Sequence, residues 1–166
     1  YCYRCPFNRA KPGREDARKT RICKWECLVK VERQLKRGKY AGFVVEPLMQ
    51  GAAGMIAHPE GWLARVSEMA RMNGAQLVAD EVMTGFGRTG KLFACQTEKV
   101  RPDFLCLAKG MTGGYLPMAA TLTTQKVFDA FLGGYEEFKA FFHGHSYTGN
   151  QLGASAALAS LDILNT

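Results

Sequence analysis

No apolar run in this sequence approaches the roughly 18 uninterrupted residues that a membrane-spanning helix needs, because charged residues break every stretch well short of that length. The first ten residues, YCYRCPFNRA, lack the succession of basic, apolar and small residues that marks a secretory signal. Histidine is scarce, with three in 166 residues, and His58, His143 and His145 are too scattered to form a metal site. Walker loops, Ser-His-Asp patterns, internal repeats and linker-like stretches are all missing. These absences point to a soluble, cytoplasmic protein without a membrane partner. What remains is ordinary globular composition: 47% hydrophobic and 22% charged residues exclude wholesale disorder, and the length suffices for one sizeable core. The chain begins at Tyr1 rather than at a methionine and stops at Thr166 inside a helix-like pattern, so a piece of a longer protein is expected.

The net charge of +7 is unevenly placed. Residues 1–40 hold 13 Lys+Arg against 4 Asp+Glu, a local excess of +9, whereas the remainder holds 9 against 11, or −2. From Thr20 to Lys39 the apolar residues Ile22, Trp25, Leu28, Val29, Val31 and Leu35 recur near helical spacing among Lys, Arg and Glu. This predicts an amphipathic helix with a basic face, either merely solvated or in contact with phosphate or nucleic acid.

Beyond that helix, short apolar runs alternate with helical stretches, which predicts an α/β domain with a mostly parallel sheet and flanking helices. Strands are expected at Gly42–Val45, Ala75–Ala79, Asp103–Ala108 and Met118–Thr123. Pro59–Asn73 reads as a helix with Trp62, Leu63, Val66, Met69 and Ala70 on one face and Gly74 as its stop. Gln125–Leu132 and Asn150–Leu164 also read as helices, the second rich enough in Ala and Leu to be packed on both sides.

Three strands, expected to be buried on both faces, end in Glu46, Asp80 and Lys109. Parallel strands deliver their carboxyl ends to one edge, where ligands of open α/β sheets bind. Ionised groups near a core are costly unless paired, so two carboxylates and an ammonium at that edge call for a partner. Taken singly, each could simply mark where a strand meets water. Glycines follow each of these ends, among them Gly51, Gly54, Gly85, Gly87, Gly90, Gly110, Gly113 and Gly114, and let backbone approach a ligand closely.

Four ordered blocks, VVEPLMQGAAGM (44–55), LVADEVMTGFGRTG (77–90), LCLAKGMTGGYLPMAAT (105–121) and FFHGHSYTGNQLGASAALASL (141–161), resemble the class III aminotransferases of the fold-type I pyridoxal phosphate enzymes. With the leading CYRCPF they cover most of the chain. The resemblance implies that residues 1–166 are the central part of the large cofactor-binding domain. A basic loop and helix would span 1–40 and the sheet with its cofactor motifs 41–166, the N- and C-terminal parts of the fold lying outside the chain. It further implies pyridoxal 5'-phosphate as cofactor, a small-molecule amino donor and keto acceptor as partners, and a homodimer with the active site at the subunit interface. Lys109 matches the lysine that binds the cofactor covalently, borders the substrate and moves a proton. Asp80 matches the carboxylate that keeps the ring nitrogen protonated, and Val82 the apolar residue against the ring face. Glu46 resembles a glutamate of the substrate pocket. Gly144 would border substrate, while His145 and Ser146 would bind the cofactor phosphate of the neighbouring subunit. Glu81 is left as a supporting or structural residue. Met83 departs from the glutamine of several relatives, which counts against an ω-amino-acid branch. The closest likeness within the family is to its biotin-pathway branch, which implies S-adenosylmethionine as donor and 8-amino-7-oxononanoate as acceptor, giving 7,8-diaminononanoate.

Other readings stand beside this one. The chain could belong to a class III enzyme acting on another ω-amino acid or a diamine, or be a non-catalytic fragment of the fold. Cys2-x-x-Cys5 and Cys23-x-x-x-Cys27, joined to the basic arm, have a spacing that could form a zinc-stabilised nucleic-acid-binding module as a remote alternative, but the second pair sits inside the amphipathic helix pattern, and free thiols in a reducing compartment are the simpler reading. Cys95 and Cys106 are expected to be buried and inert.

Overall fold

A computed structural model describes residues 26–166. Its first helix, α1 (Glu26–Leu35), buries Leu28 and Leu35, two turns apart, and leaves Val29 in solvent. It ends where Gly38 takes φ +66 and donates its N–H to the Leu35 carbonyl. The part of the expected helix before Glu26, and with it Cys2, Cys5 and Cys23, lies outside the described residues. Cys27 is half-buried and accepts a hydrogen bond from the Trp62 indole N–H at 3.3 Å.

Four strands form one sheet: β1 (Gly42–Val45), β4 (Gln76–Asp80), β5 (Phe104–Leu107) and β6 (Ala120–Thr123), in the order β1-β4-β5-β6. The first two pairings are parallel and β6 runs antiparallel to β5, so the sheet is mostly parallel, as expected. Between β1 and β4 the chain makes a two-residue antiparallel ladder, β2 (Met49–Gln50) with β3 (Ile56–Ala57), and then α2 (Trp62–Met72). Asp103 fixes the register of β5, because its N–H reaches the Leu77 carbonyl while its Oδ2 accepts the Leu77 N–H at 2.7 Å.

The core lies under one face of this sheet. Trp62, Leu63, Val66 and Ala70 form the buried stripe of α2; the first three pack with Leu28, Val45 and Leu77, and Ala70 packs with Leu35 and Ala75. Gly74, at φ +70, stops α2 at the expected place. The start of α2 lacks a side-chain cap of its own; Glu98 supplies one instead, accepting the N–H groups of Gly61 and Ala64 at 3.0 and 2.8 Å.

Four expectations are corrected. The strands are not buried on both faces: Val45, Leu77 and Ala79 point to the helices, but Val44 is 68% exposed and Val78, Phe104, Leu105 and Cys106 are only half-buried. Cys106 is therefore not a core thiol. The last helix, α4 (Gln151–Leu164), is not packed on both sides, since only Gly153 and Ala157 are buried while Leu152, Leu158 and Ile163 stand in solvent. Both have one cause: α1 and α2 occupy the same side of the sheet, and α4 packs on the turn after β5 rather than over the strands. The helix expected over Gln125–Leu132 is shorter, with α3 at Gln125–Asp129 followed by turns to Leu132. Among the described residues no helix is long and apolar enough to cross a membrane.

Candidate active site at the carboxyl edge

Parallel pairing brings the ends of β1, β4 and β5 to one edge, and Glu46, Asp80 and Lys109 stand there as expected. Asp80 is the last residue of β4 and pairs in register with Cys106, three positions before Lys109 on the adjacent strand. The carboxylate of Asp80 is half-buried, and its Oδ1 accepts the Val82 N–H at 3.1 Å. That bond curls the chain beyond the strand and ties Val82 to Asp80, leaving the second carboxylate oxygen for a further donor.

Lys109 is exposed and follows β5 as the first residue of a short 3₁₀ turn, Lys109–Thr112. Its φ of +44 lies in the left-handed region, which a residue with a side chain adopts only under restraint. Thr112, 1% exposed, donates its hydroxyl to the Leu116 carbonyl at 2.6 Å and closes the loop beyond it.

Glu46 is half-buried; its Oε2 accepts the Gly51 N–H at 2.6 Å and its carbonyl oxygen lies 3.1 Å from His58 Nε2. His58 stacks face to face on Trp62 with centroids 4.1 Å apart. Burial holds its pKa below the ordinary imidazole value, against the opposing pull of the Glu46 carbonyl and the Glu98 and Glu46 charges. A Cβ on Gly51 would lie 2.5 Å from the Met83 sulfur, so the Met83 side chain packs directly on this glycine.

Glu81, next to Asp80, is fully buried and purely structural. Its Oε2 accepts the Ala94 N–H at 2.6 Å and the Thr84 hydroxyl at 3.0 Å, and its Oε1 accepts the Cys95 N–H at 2.8 Å. It thus pins the glycine-rich 82–90 segment to the start of the 3₁₀ turn Ala94–Glu98. Burial, then the hydrogen bond and charge of Glu81, push the Cys95 thiol up to about 12, so this buried cysteine is inert, as expected.

Gly144, His145 and Ser146 are exposed, and the hydrogen bonds around them run within their own loop. The His145 N–H goes to Thr148 Oγ1 at 2.9 Å and the Tyr147 N–H to His145 Nδ1 at 3.1 Å. This loop is therefore not joined to Asp80 or Lys109 by any hydrogen bond among the described residues. A groove of about 580 Å³ runs along the outer edge of β1 and is lined by Glu46 and Asp80 but not by Lys109. The groove and the amine are thus separate features, and the site is defined by the strand ends.

An exposed amine and a half-buried carboxylate on adjacent strand ends suit an aromatic, protonatable carbonyl compound. The amine can hold its carbonyl carbon and the carboxylate its ring nitrogen, while glycines leave the surrounding backbone without Cβ atoms. The donor set therefore fits pyridoxal 5'-phosphate. Sequence reasoning missed two contributors to this edge. Phe86 lies against Gly110, and Ser160 of α4 donates its hydroxyl to the Gly110 carbonyl at 3.2 Å. The pairing of Phe86 with a glycine is a weak sequence signal; a bond spanning 50 residues gives none.

Known proteins were compared with the chain. It is 52% identical to the adenosylmethionine-8-amino-7-oxononanoate aminotransferase of Geobacter sulfurreducens, over 100% of this chain and 35% of that enzyme. The enzyme of the same name from Nitratidesulfovibrio vulgaris is also 52% identical, over 98% of this chain and 29% of its own length. Among solved structures, the Methanocaldococcus jannaschii enzyme of that name superimposes with a TM-score of 0.80 at 46% identity, over 84% of this chain and 33% of that one. The ornithine aminotransferase of Toxoplasma gondii gives 0.74 at 32% identity, over 87% and 32%. The chain thus spans about a third of the length of the relatives it matches. Residues 2–166 match the family model for class-III aminotransferases, and the chain belongs to that family.

Proposed function

We propose that the complete polypeptide transfers an amino group from S-adenosylmethionine to 8-amino-7-oxononanoate, with pyridoxal 5'-phosphate as cofactor. The carrying observation is the placement of Asp80 at the end of β4 and Lys109 just beyond the end of the adjacent parallel strand β5, at one sheet edge. The names of the relatives at about 50% identity support the choice of substrates. Partial occupancy of PLP at the active site of the T. gondii ornithine aminotransferase supports the cofactor.

When bound, pyridoxal 5'-phosphate supplies a conjugated ring that takes up the electron pair left when the substrate α-C–H bond breaks. Lys109 Nζ would hold the cofactor and, as a free amine, would serve as the base that takes up the substrate α-proton and hands it on. The Asp80 carboxylate would accept a hydrogen bond from the ring N–H and keep that nitrogen protonated through its negative charge. The Val82 side chain provides an apolar wall. Glu46, with Oε2 committed to Gly51, keeps Oε1 for a cationic group of the pocket.

His145 and Ser146 serve the phosphate across the interface of a homodimer, and Gly144 leaves room for substrate. The exposure of this loop supports that role. The compartment we assign is the cytoplasm. Met83 cannot make the contact a glutamine makes there, which counts against an ω-amino-acid enzyme.

Two half-reactions that never meet on the enzyme predict ping-pong kinetics. Initial rates at varied donor and acceptor should give parallel double-reciprocal lines, and donor should be consumed up to the number of sites with no acceptor present. Intersecting lines, or no donor consumption without acceptor, would refute the scheme.

A further inference from the structure

We propose that Phe86 and Ser160 are positioning residues that hold Lys109 in its left-handed backbone conformation and so set the reactivity of its amine. The inference deepens the proposed function and rests on Lys109 being the reactive amine. Lys109 has φ +44 and opens a single 3₁₀ turn that Gly113, at φ +62, ends. A side-chain-bearing residue stays in that conformation only where its surroundings over-determine it.

The surroundings are two separate parts of the chain converging on the next peptide. From the segment after β4, Phe86 packs flush on Gly110: a Cβ added there would lie 3.0 Å from Phe86 Cβ and 3.1 Å from its Cδ2. Phe86 is itself at φ +57 and braced edge-on by Phe93, with centroids 5.8 Å apart at 71°. From α4, Ser160 Oγ donates to the Gly110 carbonyl at 3.2 Å. The Lys109 carbonyl is occupied as well, accepting the Gly114 N–H at 3.1 Å. Gly110, the residue after Lys109, is thus gripped at its Cα by Phe86 and at its carbonyl oxygen by Ser160, residues 24 and 50 positions away from it. Both residues act on Gly110, so their effect on chemistry passes through the Lys109 backbone.

The test uses the complete polypeptide freed of cofactor. Competitive acetylation with acetic anhydride across a pH series, read by mass spectrometry, compares Lys109 with the exposed Lys91 and Lys126. Phe86→Leu and Ser160→Ala should each change the Lys109 labelling rate by about threefold or more and move its pH midpoint by about half a unit. Lys91 and Lys126 should label as before, and Phe86→Tyr and Ser160→Thr, which keep ring and hydroxyl, should restore the parent profile. An unchanged Lys109 profile in folded variants would overturn the proposal. Where Phe86→Leu does not fold, the Ser160 pair decides alone. Borohydride capture of pyridoxal phosphate by the parent protein separates the two levels. Capture at Lys109 with an unchanged profile refutes only the clamp, and capture at another lysine refutes the functional reading beneath it.

Discussion

Replacing Glu81 tests how far the buried carboxylate beside Asp80 supports the site. Glu81→Ala removes the acceptor of three donors: the Ala94 N–H at 2.6 Å, the Cys95 N–H at 2.8 Å and the Thr84 hydroxyl at 3.0 Å. Glu81 and Thr84 are 0% and 2% exposed, so water does not reach in to replace the lost acceptor. Each stranded buried donor costs about 1–3 kcal/mol, and the rotatable Thr84 hydroxyl escapes part of that. Relief of the desolvation that the carboxylate itself suffered offsets a further part. The net expectation is a loss of about 2–4 kcal/mol, a large share of the ~5–15 kcal/mol that holds a typical domain. Glu81→Gln keeps one carbonyl oxygen but turns an amide NH2 towards a donor, and should lose roughly half as much. Urea unfolding of the complete polypeptide measures both, with Trp62 in the same core as reporter. The thiol of Cys95 gives an independent reading. In Glu81→Gln it should titrate below about 12 yet above an ordinary thiol, because burial, the larger cause, remains. A Glu81→Ala protein within ~0.5 kcal/mol of the parent would refute the reasoning.

Asp80→Asn should bind the cofactor weakly and slow the donor half-reaction by about 100-fold or more; near-normal rates in stopped-flow would remove the ring-nitrogen role. Ser146→Ala should weaken cofactor retention in assembled dimers and leave isolated monomers unaffected, as read by equilibrium dialysis; equal loss in both would contradict a cross-subunit contact. His58 binds its proton less readily folded than unfolded, so its contribution is flat above the ordinary value of ~6.5 and is lost as pH falls below that towards the folded pKa. The fall in melting temperature between pH 7 and pH 5 should be smaller in His58→Phe, which keeps a ring against Trp62; an identical fall would exclude His58 as its source.

The site's frame was legible because strand ends are written in local chemistry. The apolar runs ending at Glu46, Asp80 and Lys109 bound β1, β4 and β5 to within about two residues. Gly74 stopped α2 because a left-handed residue ends a helix whatever surrounds it. The β2–β3 ladder was not legible, since two-residue strands are too short to show alternation. The direction of β6 leaves no trace in composition. Helix α4 misled because its Ala- and Leu-rich pattern records how apolar its faces are, not what lies on them. The Glu98 cap on α2 and the Ser160 bond to Gly110 join residues 34 to 50 apart and depend on tertiary approach alone.

The proposed chemistry stands on the amine of residue 109 holding the cofactor. Borohydride reduction of the cofactor-loaded protein, followed by protease digestion and mass mapping, tests it most directly. One pyridoxyl-phosphate adduct per chain is expected, on Lys109, and none in Lys109→Ala. An adduct on another lysine of the parent protein, or none at all, would contradict it.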